Sequence, residues 1–276
     1  MSNELNQAIQ AHYAASDVGK QILGALQNMG KDIDRLTAAD LAPIDEFHIR
    51  GRAATLELAK AAGIDSTKKV LDVGSGLGGP ARSLAREFGC QVTGIDLTNE
   101  YCRAAEMLTE RVGLSTHVEF LQGDALDLPF AGATFDVVWT EHVAMNIPDK
   151  PRLYGEMHRV LKPGGTLAIY DILTGPAGTV HFPVPWARVP ETSFLATPEE
   201  LRRLLEQVGF SIADWADTTQ QARAWFAVLA EKMRSQGLPP LGFHVFLGPE
   251  FKEMAQNQRR NLDEGRIVLA QVVARK

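Results

Sequence analysis

Residues 70–82 read VLDVGSGLGGPAR: an apolar run carrying one carboxylate, Asp72, passes directly into four glycines and a serine within six residues. Gly74, Gly76 and Gly79 satisfy the spacing G-x-G-x-x-G. That spacing after a strand and before a helix describes a loop whose backbone N–H groups face a ligand. Two ligands compete for such a loop. One is the pyrophosphate of a nicotinamide dinucleotide; the other is a group with different charges.

Around this loop the chain alternates. Apolar, β-branched runs at 69–73, 91–96, 118–122, 135–140 and 166–172 are separated by helical patterns at 79–88, 99–112 and 150–161. Strand–helix repetition of this kind predicts a parallel sheet with helices on both faces, because parallel neighbours need crossovers. The linker GDALDLPFAGAT (123–134) reads as loop with little helix. Further on, TPEELRRLLEQVGF has Thr197 as N-cap, Pro198 at the first helical position and Glu200 to complete a capping box. SIADWADTT reads as a strand, and RIVLAQVVARK as the last one. Ahead of the sheet, 6–29 is helical with a break at Ser16 and Asp17. LTAADLAPIDEF is a short turn capped by Thr37 and ended by Pro43, and GRAATLELAKAAG is a helix stopped by Gly63. The expected fold is α/β: a Rossmann-like, seven-stranded, mostly parallel sheet with helices on both faces and a helical cap over the strands' carboxyl edge. Residues 1–50 form the N-terminal cap segment and 51–276 the binding domain, with lid insertions at about 173–197 and 220–262.

Composition narrows the function. A formal charge of −6 over 276 residues gives no basic face for nucleic acid or anionic lipid. No apolar run reaches membrane-spanning length, and the polar start MSNELNQAIQAHY lacks a signal-peptide pattern. Cys90 and Cys102 show no metal-ligand spacing and no adjacent base, and the seven histidines form no H-x-x-x-H pattern. The expectation is a cytoplasmic protein with a small-molecule partner and no catalytic metal; self-association is left open.

Charge then separates the two readings of the loop. A carboxylate two residues before Gly74 repels a pyrophosphate but accepts from an ammonium, so Asp72 favours a ligand with an α-amino-acid tail, such as S-adenosylmethionine. Asp96 ends the second strand, about 20 residues past the glycines, where an acid accepts from ribose hydroxyls. Asp124, in a Gly-Asp turn after the third strand, is placed for an adenine amino group, with Ala125 as a backbone donor.

VLDVGSGLGGPA, VTGIDL, QGDALDLPF, FDVVWTEHVAMNIPDK and RVLKPGGTLAIYDI stand in the order and spacing of the successive motifs of class I S-adenosylmethionine-dependent methyltransferases, over about residues 45–175. The chain resembles the small-molecule branch of that family, which includes sarcosine/dimethylglycine, phosphoethanolamine, tocopherol and natural-product enzymes. The resemblance implies S-adenosyl-L-methionine as cofactor and S-adenosyl-L-homocysteine as product. It implies Asp72, Gly74, Ser75 and Gly76 at the methionine tail, Asp96 and Leu97 at the ribose, and Asp124 and Ala125 at the adenine. Thr140 and Glu141, first out of the fourth strand, approach the methionine part.

Methyl transfer demands an acceptor lone pair held in line with the S–CH₃ bond in a water-poor pocket. His142 is the candidate base or orienting partner, with an ordinary pKa near 6.5. Asn146 follows it as a polar contact for the acceptor, and Tyr13 resembles an early tyrosine that closes over the cofactor. Arg50 and Arg52 read as surface arginines, Asp171 as the end of strand five, and the prolines and aromatics of HFPVPWARV and LGFHVFLG as a lid. The expected reaction is methylation of an amine or hydroxyl, less readily of carbon. A non-methylating reaction such as a cyclisation, an NAD(P)-dependent oxidoreduction and a non-enzymatic scaffold are the rivals.

Overall fold

Each of the apolar runs becomes a strand in the computed structural model, which describes residues 3–13 and 17–276. β1 (Lys69–Val73), β2 (Gln91–Asp96), β3 (Val118–Gln122), β4 (Phe135–Glu141), β5 (Leu161–Thr174), β6 (Ser211–Asp217) and β7 (Ile267–Arg275) form one sheet in the order β3-β2-β1-β4-β5-β7-β6. β7 runs antiparallel to both of its neighbours, and the remaining pairs are parallel. Strand order reverses at β1, which lies between β2 and β4. A crevice therefore opens above the carboxyl end of β1, directly over the glycine loop.

Strand parity decides which side chains face which helices. Leu71 and Val73 enter one core with Tyr154 and Met157 of the helix Lys150–Val160 and Leu205 of the helix Pro198–Val208. Val70, Trp139 and Tyr170 enter the opposite core with Leu58 of the helix Arg52–Ala62 and Leu84 of the helix Gly79–Phe88. Because i and i+2 share a face, Asp72 is directed with Val70, and Glu141 with Trp139, toward that second helical layer. Fully burying side chains such as Trp139 and Leu58 contributes on the order of 2–3 kcal/mol each, ample to hold polar neighbours out of water.

Four helices precede the sheet: α1 (Asn3–Tyr13), α2 (Val18–Asn28), α3 (Ala38–Asp45) and α4 (Arg52–Ala62). In chain order the others are α5 (Gly79–Phe88), α6 (Asn99–Arg111), α7 (Lys150–Val160), α8 (Pro198–Val208), α9 (Thr219–Gln236), α10 (His244–Leu247) and α11 (Phe251–Asp263). The break expected at Ser16 and Asp17 has Ser16 outside the described residues; Asp17 caps α2 in a left-handed conformation, φ 63°. Thr37 and Asp40 form a reciprocal capping box, as Thr197 and Glu200 do at α8. Pro43 does not end α3, which continues to Asp45 because Leu41 and Ile44 are buried on either side of it. Leu41, Ile44, Leu26, Leu77 of the glycine loop, Tyr101 of α6 and Phe246 of α10 share a third core. The pre-sheet helices and the 241–247 segment are thus packed onto the crevice edge. After β5 ends at Thr174, the segment to 197 carries a β-bridge between Val184 and Ala187 and a 3-10 turn, Pro190–Thr192, with Trp186 buried.

Candidate functional site

The glycine loop is tied back onto the sheet: Gly74 and Ser75 donate to the Ile95 carbonyl at 2.8 and 3.1 Å. Two glycines are sterically required. A Cβ at Gly74 (φ 77°) would lie 2.3 Å from Val143, in the segment leaving β4. A Cβ at Gly79 would lie 1.5 Å from the Asp45 carbonyl, so α3 and the start of α5 touch backbone to backbone. Asp96 fixes the far side of the loop: Oδ2 accepts from Gly76 N–H at 2.9 Å and Oδ1 from Thr98 N–H at 2.8 Å.

Asp72 lies under this loop, 2% exposed, and its Oδ2 has no partner. Burial, then the neighbouring Glu46 and Asp96 carboxylates, push its pKa up to about 8. An orphaned buried acid is the complement of an ammonium; with the Gly74, Ser75 and Gly76 N–H groups already given to Ile95 and Asp96, a carboxylate beside it would be met by the N-terminus of α5.

At the other end of the crevice the polar groups are spanned by α1. Asn6 Nδ2 donates to Asp124 Oδ2 at 3.4 Å, and Gln10 Nε2 to the Leu97 carbonyl at 3.0 Å. Tyr13 Oη donates to Asn146 Oδ1 at 3.0 Å, and His12 Nε2 to the Pro185 carbonyl at 2.9 Å. Positions 6, 10 and 13 recur on one helical face, which is how a single helix reaches both ends. Asn146 also donates to the carbonyls of Trp186 and Thr192, at 2.8 and 2.9 Å. Both ends of its amide are therefore engaged, and it fastens the 173–197 segment to the loop after β4. Asp124 Oδ1 additionally accepts from Leu126 N–H, an Asx turn around Ala125.

His142 has a left-handed backbone, φ 54°, unusual for a side-chain-bearing residue and frequent at functional positions. Its N–H donates to the Tyr170 carbonyl at 2.7 Å, its ring lies 4.8 Å from that of Tyr170, and its Nε2 is buried with no partner. Burial, reinforced by nearby His48, holds its pKa well below the ordinary value near 6.5. The sequence expectation of a group titrating near neutrality is corrected: this imidazole is neutral throughout the physiological range. Thr140, two residues earlier and on the opposite face of β4 from Glu141, is buried with Oγ1 unpartnered.

Glu141 is held on the other side. Trp139 Nε1 lies 3.1 Å from its Oε2, Thr55 Oγ1 lies 3.2 Å from the same oxygen, and His48 Nε2 lies 3.6 Å from Oε1. Thr55 also bonds Glu46 at 2.9 Å, and Ser83 Oγ donates to Glu46 Oε1 at 2.5 Å. Glu46, His48 and Glu141 each present one ligand-type atom within 4.8 Å of the others, a grouping that could take a cation or a shared proton. No local motif announces Glu46, Thr55 or Ser83. Strand parity was the available signal for Glu141, since a residue two from buried Trp139 shares its face.

Two further expectations change. Arg50 is buried rather than superficial and donates from Nη2 to both carboxylate oxygens of Glu57 at 2.6 Å; only Arg52 makes a surface pair, with Glu87 at 2.5 Å. Asp171 is internal to β5, which continues to Thr174 through its pairing with β7. Among the described residues no helix is long and apolar enough to cross a membrane.

Residues 71–169 match the family model described as a methyltransferase domain. Methyltransferase GfsG of Streptomyces halstedii is 34% identical over 190 residues, covering 67% of each chain. A sterol 24-C-methyltransferase of Eremothecium gossypii is 41% identical over 114 residues, 41% of this chain but only 31% of that protein's length. Among solved structures, the crystal structure of the [4+2]-cyclase SpnF superposes with a TM-score of 0.71 at 25% identity, over 99% of this chain and 96% of that one. The strand order, the glycine loop and the GfsG match together show that the chain belongs to the class I S-adenosylmethionine-dependent methyltransferases.

Proposed function

We propose that this protein transfers a methyl group from S-adenosylmethionine to a hydroxyl oxygen of a small metabolite or natural-product intermediate. In this reading Asp72 takes the cofactor's ammonium. Gly74, Ser75 and Gly76 shape the loop around its methionine tail, whose carboxylate faces the N-terminus of α5; Asp96 and Leu97 take the ribose, Asp124 and Ala125 the adenine, and Thr140 the methionine chain. The bound cofactor supplies an electrophilic methyl carbon. The chain's own residues hold the acceptor, keep water out and remove a proton.

The observation that carries the reading is His142: an imidazole that burial keeps ready to accept a proton, with a buried, unpartnered Nε2 directly after β4 at the crevice. A free amine reaches a sulfonium already bearing its lone pair and needs no such group. A hydroxyl does, and a general base contributes roughly 10²–10⁴-fold in rate. Tyr13, whose hydroxyl burial keeps protonated, closes the crevice by its bond to Asn146.

A second reading is methylation at carbon, where the base removes a proton from the carbon skeleton. It is favoured by the 41% identity to a sterol 24-C-methyltransferase. Likeness to a [4+2]-cyclase marks the remaining rival, a bound cofactor that is never consumed.

The test is a screen of alcohols, phenols, amines and activated alkenes with a ¹³C-methyl donor, the product carbon identified by NMR. A ¹³C-methoxy product with loss of about 10²-fold or more in kcat for His142→Ala supports the proposal. A C–¹³CH₃ product establishes the second reading, and full turnover by His142→Ala refutes the base assignment.

A further inference from the structure

Beneath the crevice, on the side of the sheet away from Thr140, lies a set of buried acids that the proposed reaction does not use. Glu46 caps the C-terminus of α3, Thr55 lies in α4, Ser83 in α5, and Glu141 ends β4. The Glu46 and Glu141 side chains are 6% and 2% exposed. The charged groups facing the pair are few and otherwise occupied. Arg82 directs Nη2 to Asp45 at 2.6 Å and Nη1 to Ala105 and Thr109. Arg50 Nη2 is held by Glu57, and Asp72 adds a third carboxyl. His48 Nε2 lies 3.1 Å from the Gly51 carbonyl, which only accepts, so that nitrogen carries the hydrogen and the neutral ring leaves Nδ1 bare.

The hydrogen-bond count does not close with two ionised carboxylates. Ser83 supplies one hydrogen to Glu46 Oε1 and Trp139 one to Glu141 Oε2. The single hydrogen of Thr55 Oγ1 must serve Glu46 Oε2 at 2.9 Å and Glu141 Oε2 at 3.2 Å. A hydroxyl can give to one and accept from the other. The carboxyl contacts are satisfied if Glu141 carries a proton: Glu141 donates to Thr55, Thr55 donates to Glu46, Ser83 donates to Glu46 from the other side, and the His48 Nε2 hydrogen is shared between the Gly51 carbonyl and Thr55 Oγ1 at 3.2 Å. The negative charge then rests on Glu46, the partner nearer Arg82.

We infer that Glu46 and Glu141 share a single proton, resident on Glu141, and that this acid–carboxylate pair, joined through Thr55 and His48, is the positioning element behind His142. The link to His142 is spatial. The His48 ring stands 5.9 Å from His142, edge to face, and 5.8 Å from Tyr170, on which His142 also rests. A second charge in the pair would fall one residue from the base and raise its proton affinity. Burial agrees with the assignment, pushing Glu141 well above the ordinary carboxyl range and Glu46 to about 7.

The role attached to His142 rests on the reading of the reaction given above; the proton count does not. The first experiment therefore needs no acceptor. Carboxyl ¹³C NMR of the folded, uniformly labelled protein, with the two glutamate signals assigned by Glu46→Gln and Glu141→Gln, should show one protonated carboxyl between these two residues at pH 7, that of Glu141, apart from the raised acids Asp72 and Asp171. Two ionised carboxyls at pH 7, or a stoichiometric metal ion found by elemental analysis of purified protein and lost to a chelator, overturn the inference.

The second experiment follows turnover against pH. Glu141→Ala should lower kcat at least tenfold. Glu141→Gln, whose amide can still donate to Thr55, should recover most of that loss and move the alkaline limb of the profile upward. A glutamine variant as slow as the alanine one refutes the positioning role. If no acceptor turns over, the NMR result stands and the proposed function alone has failed.

Discussion

Cofactor binding should be linked to proton release at Asp72, with a size that follows from its setting. Without ligand this carboxyl is pushed to about 8 by burial and by Glu46 and Asp96. An arriving ammonium needs it ionised. At pH 6 only about 1% of such a group is ionised, against half at pH 8, so Kd at pH 6 should be about 50-fold weaker, about 2.3 kcal/mol. Above pH 8 the cofactor's own α-amino group, with a pKa of about 8, begins to lose its proton, which places the optimum near pH 8. The sign for stability runs the other way. A raised acid binds its proton in the folded state, so the ligand-free protein should lose stability as pH rises between 3.8 and about 8. Saturating cofactor should flatten that loss. The assay is titration calorimetry with S-adenosylhomocysteine in two buffers of different ionisation enthalpy, from pH 6 to 8. Expected are close to one proton released per ligand at pH 6.5 and a tenfold change in Kd per unit well below 8. Asp72→Asn should abolish both. A Kd constant within threefold across the range, with no proton released, refutes the placement of the ammonium at Asp72.

Three other outcomes follow from the geometry. Gly79→Ala, whose Cβ would collide with the Asp45 carbonyl, should destabilise by about 3 kcal/mol or more in denaturant melts, since backbone on both sides must move; a loss under about 1 kcal/mol contradicts the close approach. Asp96→Ala removes the acceptor for Gly76 and Thr98 and should weaken S-adenosylhomocysteine binding by roughly 10–100-fold in calorimetry; unchanged affinity would remove Asp96 from the ribose site. Tyr13→Phe deletes the bond to Asn146 and should raise the cofactor off-rate by about 3–10-fold in stopped-flow displacement, leaving thermal stability within about 1 kcal/mol; an unaltered off-rate means α1 does not hold the ligand in.

The sheet was legible because its signals are local. Continuous apolar, β-branched runs, capping residues at Thr37 and Thr197 and a left-handed stop at Gly63 each act within a few residues. Asp72, Asp96 and Asp124 were legible as positions at strand ends, and all three line the crevice edge. Their electrostatic state was not. Whether Asp72 carries charge depends first on its burial and then on Glu46, brought near by the packing of α3 against α5, and on Asp96. The argument that a fixed negative charge repels a pyrophosphate therefore changes form. Near neutrality the buried acid is largely protonated until a cation arrives, and discrimination lies in which ligand can ionise it. Arg50 misled for the same reason, since a turn at positive φ carries its guanidinium under α4 rather than into solvent. Pro43 was overruled by two buried neighbours.

The N-terminal helix bonds to the adenine end of the crevice through Asn6 and Gln10, and to the lid end through His12 and Tyr13. One rigid bar thus bolts both halves of the doorway. Lifting α1 off the crevice must break these four bonds together, so release of a nucleoside past it should be a single unbolting event. The heat-sensitivity of the whole cycle should accordingly track that opening whenever the chemical step is fast, and a shorter bar would trade retention for speed.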